Sequence, residues 1–153
     1  MELLNVKTEG HFKIVRELFE EYAASLDYEI CFNNFAAELA RLPGEYAPPS
    51  GRLMLGFHNG SAAGCVALRR VEDGVCEMKR LYVRAGFRGA GIGRALAEAV
   101  VRQAREIGYK SIRLDTVNSM RTAQTIYESM GFTDTKPCCS NPPEGVRYME
   151  LPL

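Results

Sequence analysis

The segment whose residue types are best suited to chemistry is Arg88-Gly89-Ala90-Gly91-Ile92-Gly93-Arg94, which falls between a predicted strand and a predicted helix. Three alternating glycines let the backbone turn tightly and present its N–H groups without Cβ interference. The following helix adds unpaired N–H groups and the positive end of its dipole. Together these make a concave site for an anion, a phosphate above all. Local charge agrees: residues 79–97 carry Lys79, Arg80, Arg84, Arg88 and Arg94 and no acid. A plain tight turn with solvated arginines would need neither the charge cluster nor the strand-to-helix position.

Three kinds of phosphate loop compete for this segment. An NTP-binding loop needs G-x-x-x-x-G-K-[ST], and no Lys-Ser/Thr pair follows these glycines. A dinucleotide fingerprint needs G-x-G-x-x-G. Counted from Gly89 its last position is Arg94, and counted from Gly91 it is Leu96. Asp115 ends the next predicted strand, where a ribose-binding acid would stand, so a nicotinamide-dependent oxidoreductase stays among the alternatives. The third kind depends on the surrounding elements.

Those elements come from one chain of 153 residues, 46% apolar and 25% charged, with 19 basic and 19 acidic side chains. This is the composition of a soluble globular domain. A net charge of zero gives no overall pull toward nucleic acid or an anionic membrane, so attraction for an anion must be local. No segment approaches the ~20 apolar residues that span a bilayer, and the N-terminus lacks a basic start followed by an apolar run. The five cysteines, Cys31, Cys65, Cys76, Cys138 and Cys139, include no C-x-x-C pair. Neither a disulfide framework nor a metal site is expected, and free thiols point to a reducing cytoplasm. Cys65 and Cys76 lie in apolar runs and read as core, while the vicinal Cys138 and Cys139 match no thiol motif.

Helical spacing of Phe12, Val15, Leu18, Phe19 and Tyr22 predicts a helix starting near His11, after a short strand at 3–6. A second helix is predicted over 33–42, ended by Pro43-Gly44, with a loop over 46–51. Strands at 52–58, 62–71 and 75–83, separated by Asn59-Gly60 and Asp73-Gly74, read as an antiparallel meander. The pattern then changes to helix 91–107, strand 111–116 and helix 119–130, with Gly108 and Gly131 as helix stops. Closing strands are predicted at 132–138 and 147–151. The fold class is α/β, with a mixed, mostly antiparallel sheet flanked by about four helices in a single domain over 1–153.

In this setting the run Arg88-x-x-Gly91-x-Gly93, after the strand Cys76-Glu77-Met78-Lys79-Arg80-Leu81-Tyr82-Val83, resembles the pyrophosphate loop of the GNAT superfamily of N-acetyltransferases. Downstream, Leu114-Asp115-Thr116, Asn118 and Ala123-x-x-x-Tyr127-x-x-x-Gly131-Phe132 are similar to that family's second signature. The resemblance covers nearly the whole chain. It implies a GNAT-like acyl-CoA N-acyltransferase fold in which acetyl-CoA, the acyl donor, lies between two parallel strands that splay apart. Backbone at Leu81, Tyr82 and Val83 would pair with the pantetheine arm. The amides of Arg88, Gly89, Ala90, Gly91, Ile92, Gly93 and Arg94 would hold the pyrophosphate. Asn118 would contact the cofactor or, on its own preferences, cap the next helix. Tyr127 matches the general acid that protonates the leaving thiolate, although its spacing alone would place it in the core. Glu77 matches a carboxylate base, or is a salt-bridged strand residue. His11 and His58 are expected at the surface, outside the site.

The implied reaction is direct attack of an amine, from a small molecule or a peptide, on the thioester. A non-catalytic acyl-CoA sensor is the other alternative. Segments 26–32 and 136–146 are expected to shape the acceptor side, with Tyr28 and Glu29 as candidates to meet a cationic amine. No nucleic acid or membrane partner is expected, and a homodimer is compatible with the sequence.

Overall fold

The computed structural model describes residues 1–26, 35–137, 142 and 144–153. Strands β1 (Glu2–Asn5), β2 (Arg52–His58), β3 (Ser61–Glu72), β4 (Val75–Val83), β5 (Ser111–Val117), β6 (Thr133–Asp134) and β7 (Val146–Pro152) form a single sheet in the order β1-β2-β3-β4-β5-β7-β6. Among the described residues only β4 and β5 run parallel; the other neighbours are antiparallel, as the sequence predicts. The β2–β3 hairpin turns at Asn59 and Gly60, both with positive φ (52° and 80°), the geometry that Asn-Gly favours.

Side-chain alternation along β3 sends Cys65 and Ala67 to one face and Val66 and Leu68 to the other. The first face packs against helix α1 (Glu9–Ser25) through Val15, Leu18 and Phe19. Helix α2 (Phe35–Arg41) adds Phe35 and Leu39 at its margin. The second face packs against α3 (Ile92–Ile107), through Leu96 and Val100, and against α4 (Arg121–Met130), through Tyr127. A sheet with both faces covered needs these two separate apolar layers.

Several boundaries differ from the sequence reading, each for a local reason. Helix α1 begins at Glu9, ahead of Gly10, because the Thr8 hydroxyl accepts a hydrogen bond from the His11 amide at 3.1 Å and caps it. Asn118 does not cap α4: Met120 holds that position without a side-chain bond, and the Asn118 amide donates to Gly145 O. The expected strand at 132–138 shortens to Thr133–Asp134. His58 is half-buried rather than on the surface, edge-on to Phe87 at 6.1 Å. Tyr28, Glu29, Cys31, Cys138 and Cys139 lie outside the described residues. Among the described residues no helix is long and apolar enough to cross a membrane.

One close approach ties the meander to the rest. A Cβ at Gly64 of β3 would stand 2.5 Å from the Tyr82 carbonyl oxygen of β4, closer than any real contact allows. Gly64→Ala should therefore push β3 and β4 apart and destabilise the protein by roughly 2 kcal/mol or more, measured by urea titration.

Candidate active site

The β4–β5 ladder holds for only three pairs, Val75↔Ser111, Cys76↔Ile112 and Glu77↔Arg113. Beyond them β4 continues to Val83 along β3, and β5 continues to Val117 along β7. The strands diverge into a V, leaving the facing backbone edges from Met78 and Leu114 onward without a strand partner among the described residues. A bulge sharpens the divergence. Arg80 and Leu81 of β4 oppose Val66 alone, between the pairs Cys65↔Tyr82 and Ala67↔Lys79. Arg80 takes a φ of 60°, a conformation costing a non-glycine residue about 1–2 kcal/mol. The extra residue turns the β4 backbone away from the ladder.

The glycine loop sits at the open end of the V. Gly89 and Gly91 have φ of 87° and 80°, with open space where a Cβ would stand. Gly91 occupies the cap position of α3 without any side-chain cap, and no acid lies in the first turn. Among the described residues, no amide from Gly89 to Arg94 donates a hydrogen bond within the protein; the first to do so is Ala95, to Gly91 O. Ile92 is buried beneath the loop, and Gly93 packs against Val83 and Ile126. The loop is thus anchored from below while its main-chain donors stay free above. Such a nest of uncapped amides at a helix start fits a diphosphate.

The positive field expected from residues 79–97 is largely cancelled in the fold. Arg80 makes a two-point ion pair with Glu38 of α2, at 2.9 and 2.8 Å. Arg84 does the same with Glu21 of α1. Lys79 lies 3.9 Å from Glu77, and Arg94 pairs with Glu98 and contacts the Ser129 hydroxyl. Among the described residues Arg88 alone of the five has no carboxylate partner; it donates to Val83 O at 3.1 Å. The cancelling acids come from helices distant in sequence, which a local charge count cannot register.

Tyr127 is 5% exposed, on the α3/α4 face of the sheet, with Phe132 at 5.7 Å. Burial, and then the Asp115 carboxylate, push its phenol above the ordinary range. It therefore keeps its proton throughout the neutral range. Thr116 of β5 is 4% exposed, and its hydroxyl oxygen is enclosed with no partner among the described residues. Glu77 stands on the opposite face, accepting a hydrogen bond from Arg69 at 2.8 Å. Leu81 is buried at the bulge, and Asn118 is exposed just past β5.

The last turn of α1 spans both arms of the V. Tyr22 stacks on Tyr82 of β4 with centroids 5.5 Å apart, and its hydroxyl lies 3.8 Å from the Met120 sulfur just past β5. The Arg84 guanidinium holds the Glu21 carboxyl below the usual range, which fixes this turn to β4. Sequence reading missed the Arg80–Glu38 pair, the orphaned Thr116 hydroxyl and this bridging turn. None of them has a local signal, since each joins residues far apart in the chain or depends on the lack of a neighbour.

Comparison with known proteins agrees with this geometry. Residues 12–132 match the model of the acetyltransferase (GNAT) family. The chain is 37% identical to an uncharacterised N-acetyltransferase of Schizosaccharomyces pombe over 89% of this chain and 85% of that protein. It is 33% identical to an IAA acetyltransferase of Azospirillum brasilense over 70% and 71% of the two chains. Among solved structures, an acetyltransferase of Salmonella typhimurium with its cofactor acetyl-CoA superposes with a TM-score of 0.74 at 19% identity, covering 99% of this chain and 93% of that one.

The Arg80 side chain is 3% exposed and that of Glu38 20%. Removing one partner from such a pair strands a buried charge. Glu38→Ala should cost about 3 kcal/mol in denaturant titration. An Arg80→Met/Glu38→Leu double variant should lose far less.

Proposed function

This chain belongs to the GNAT family of acetyltransferases and is an acetyl-CoA-dependent N-acetyltransferase, and from that premise we propose how its own residues carry the reaction. The observation that carries the reading is the V between β4 and β5, which opens onto uncapped amides at the start of α3. The amides of Gly89, Ala90, Gly91, Ile92, Gly93 and Arg94, with the Arg88 guanidinium, hold the donor's diphosphate, while the Arg88 amide is spent on Ala85 O. Backbone at Leu81, Tyr82 and Val83 pairs with the pantetheine arm as an added strand, and Asn118 closes the far rim. Acetyl-CoA supplies an activated thioester carbonyl to this site.

The free main-chain edge of the β4 bulge faces the region where negative charge develops on the carbonyl oxygen. Preorganised N–H donors there lower the barrier. Tyr127 gives its proton to the departing sulfur. Its burial keeps the phenol neutral and excludes water that would compete for the thioester. Glu77 lies on the α1 face, the acceptor's side of the sheet, but is committed to Arg69 and Lys79. We therefore assign removal of the acceptor's proton to water in the open V, with Glu77 steadying the last paired rung of the ladder.

The acceptor, an amine of a small molecule or peptide, approaches on the α1 face beside Tyr22, Tyr82 and Met120. The relative named as an IAA acetyltransferase supports a small acceptor.

A thiol-release assay with acetyl-CoA against a broad panel of amines tests the reading. At least one amine should raise release above hydrolysis, and no release together with no binding of CoA would sink it. Tyr127→Phe should lower kcat about 100-fold while the donor's KM stays within about twofold. The sign of the pH effect follows from the raised pKa. A phenol shifted above its ordinary ~10 keeps its proton throughout the neutral range, so the wild-type rate should not fall with rising pH before about pH 10. Arg88→Gln should raise the KM for acetyl-CoA roughly tenfold and reduce its dependence on salt, measured by initial rates at several ionic strengths.

A further inference from the structure

The hydroxyl of Thr116 is enclosed by the protein yet has no hydrogen-bond partner among the described residues. Its backbone is already satisfied along β7, where it stands opposite Arg147. Alternation along β5 puts its side chain on the same face as Ile112 and Leu114, both buried in the apolar layer under α3 and α4. Valine would fill this space with the same branched shape and no polar atom to desolvate. A hydroxyl here costs stability unless something outside the chain meets it.

Position says what that something is. Thr116 lies three residues past Arg113, the last rung of the β4–β5 ladder, so it stands about 10 Å into the V. Tyr127 lies on the same sheet face, buried in the same apolar layer. The glycine-loop amides mark the outer end of the same opening.

We propose that Thr116 is a donor-positioning residue whose hydroxyl donates a hydrogen bond to a carbonyl oxygen of the acyl-pantetheine arm in the V. The inference rests on the placement of the donor given above. Two carbonyls share this chemistry, that of the thioester and that of the nearest pantetheine amide.

Thr116→Val and Thr116→Ser, compared with wild type, decide the matter. Thermal melts are run without ligand, with CoA and with acetyl-CoA, alongside steady-state kinetics. Without ligand, Thr116→Val should melt about 2–4 °C higher, because an orphaned polar atom has gone. Its affinity for the donor should fall about tenfold, appearing in the donor's KM more than in kcat. Thr116→Ser should restore the affinity. Equal losses for CoA and acetyl-CoA assign the bond to the pantetheine amide, and a loss for acetyl-CoA alone assigns it to the thioester. Wild-type affinity in Thr116→Val overturns the inference. So does a lowered melting temperature or failure of that variant to fold, since either means the hydroxyl is already satisfied within the protein. If CoA fails to stabilise wild type, the placement of the donor falls and this inference with it.

Discussion

Main-chain hydrogen bonding is the constraint on which this molecule turns. Strands β4 and β5 begin as ordinary parallel neighbours and separate after Glu77↔Arg113, although both continue. Among the described residues no strand fills the gap; Val117 O is met locally by the Met120 amide and the Gln124 side chain, and the unpaired groups of the parted edges need water or a ligand. The separation is maintained from both sides, by full pairing of β5 with β7 and by the register shift of β4 on β3. An extended ligand that brings its own amides can therefore enter as a strand would, with the sheet itself supplying the recognition.

Electrostatics holds the helices over this opening rather than merely attracting the ligand. Arg80 occupies a strained backbone position in the bulge, and its guanidinium is buried against Glu38 and the Phe35 ring. Burial opposes its charge, and the Glu38 carboxylate with its neighbours more than offsets that, leaving the guanidinium more basic than usual. Arg84 plays a similar part with Glu21 and Glu17 of α1. The attraction for anions proposed for the loop then falls to Arg88 and to main-chain dipoles, which need no counter-ion and cannot be neutralised by a distant acid.

The proposed proton donor lies in the driest part of the fold. Tyr127 keeps its proton because an apolar layer surrounds it, and that same layer makes the Thr116 hydroxyl conspicuous. Both polar groups lie among residues that otherwise serve as core.

Local rules made much of this legible. The meander, three of the four helices within about two residues at each end, the helix stops at Gly108 and Gly131, and the glycine loop all follow from periodicity and turn chemistry acting over a few residues. The family resemblance rested on the same kind of short-range spacing. The tertiary structure decided what depends on contacts across the chain: that four of the five cations near the loop are neutralised, that β4 bulges at Arg80, that Glu77 is engaged by Arg69, and that Thr116 is left alone. Sequence spacing sets the conformation of neighbours, whereas charge pairing, register shifts and unmet hydrogen bonds are set by what folding brings alongside.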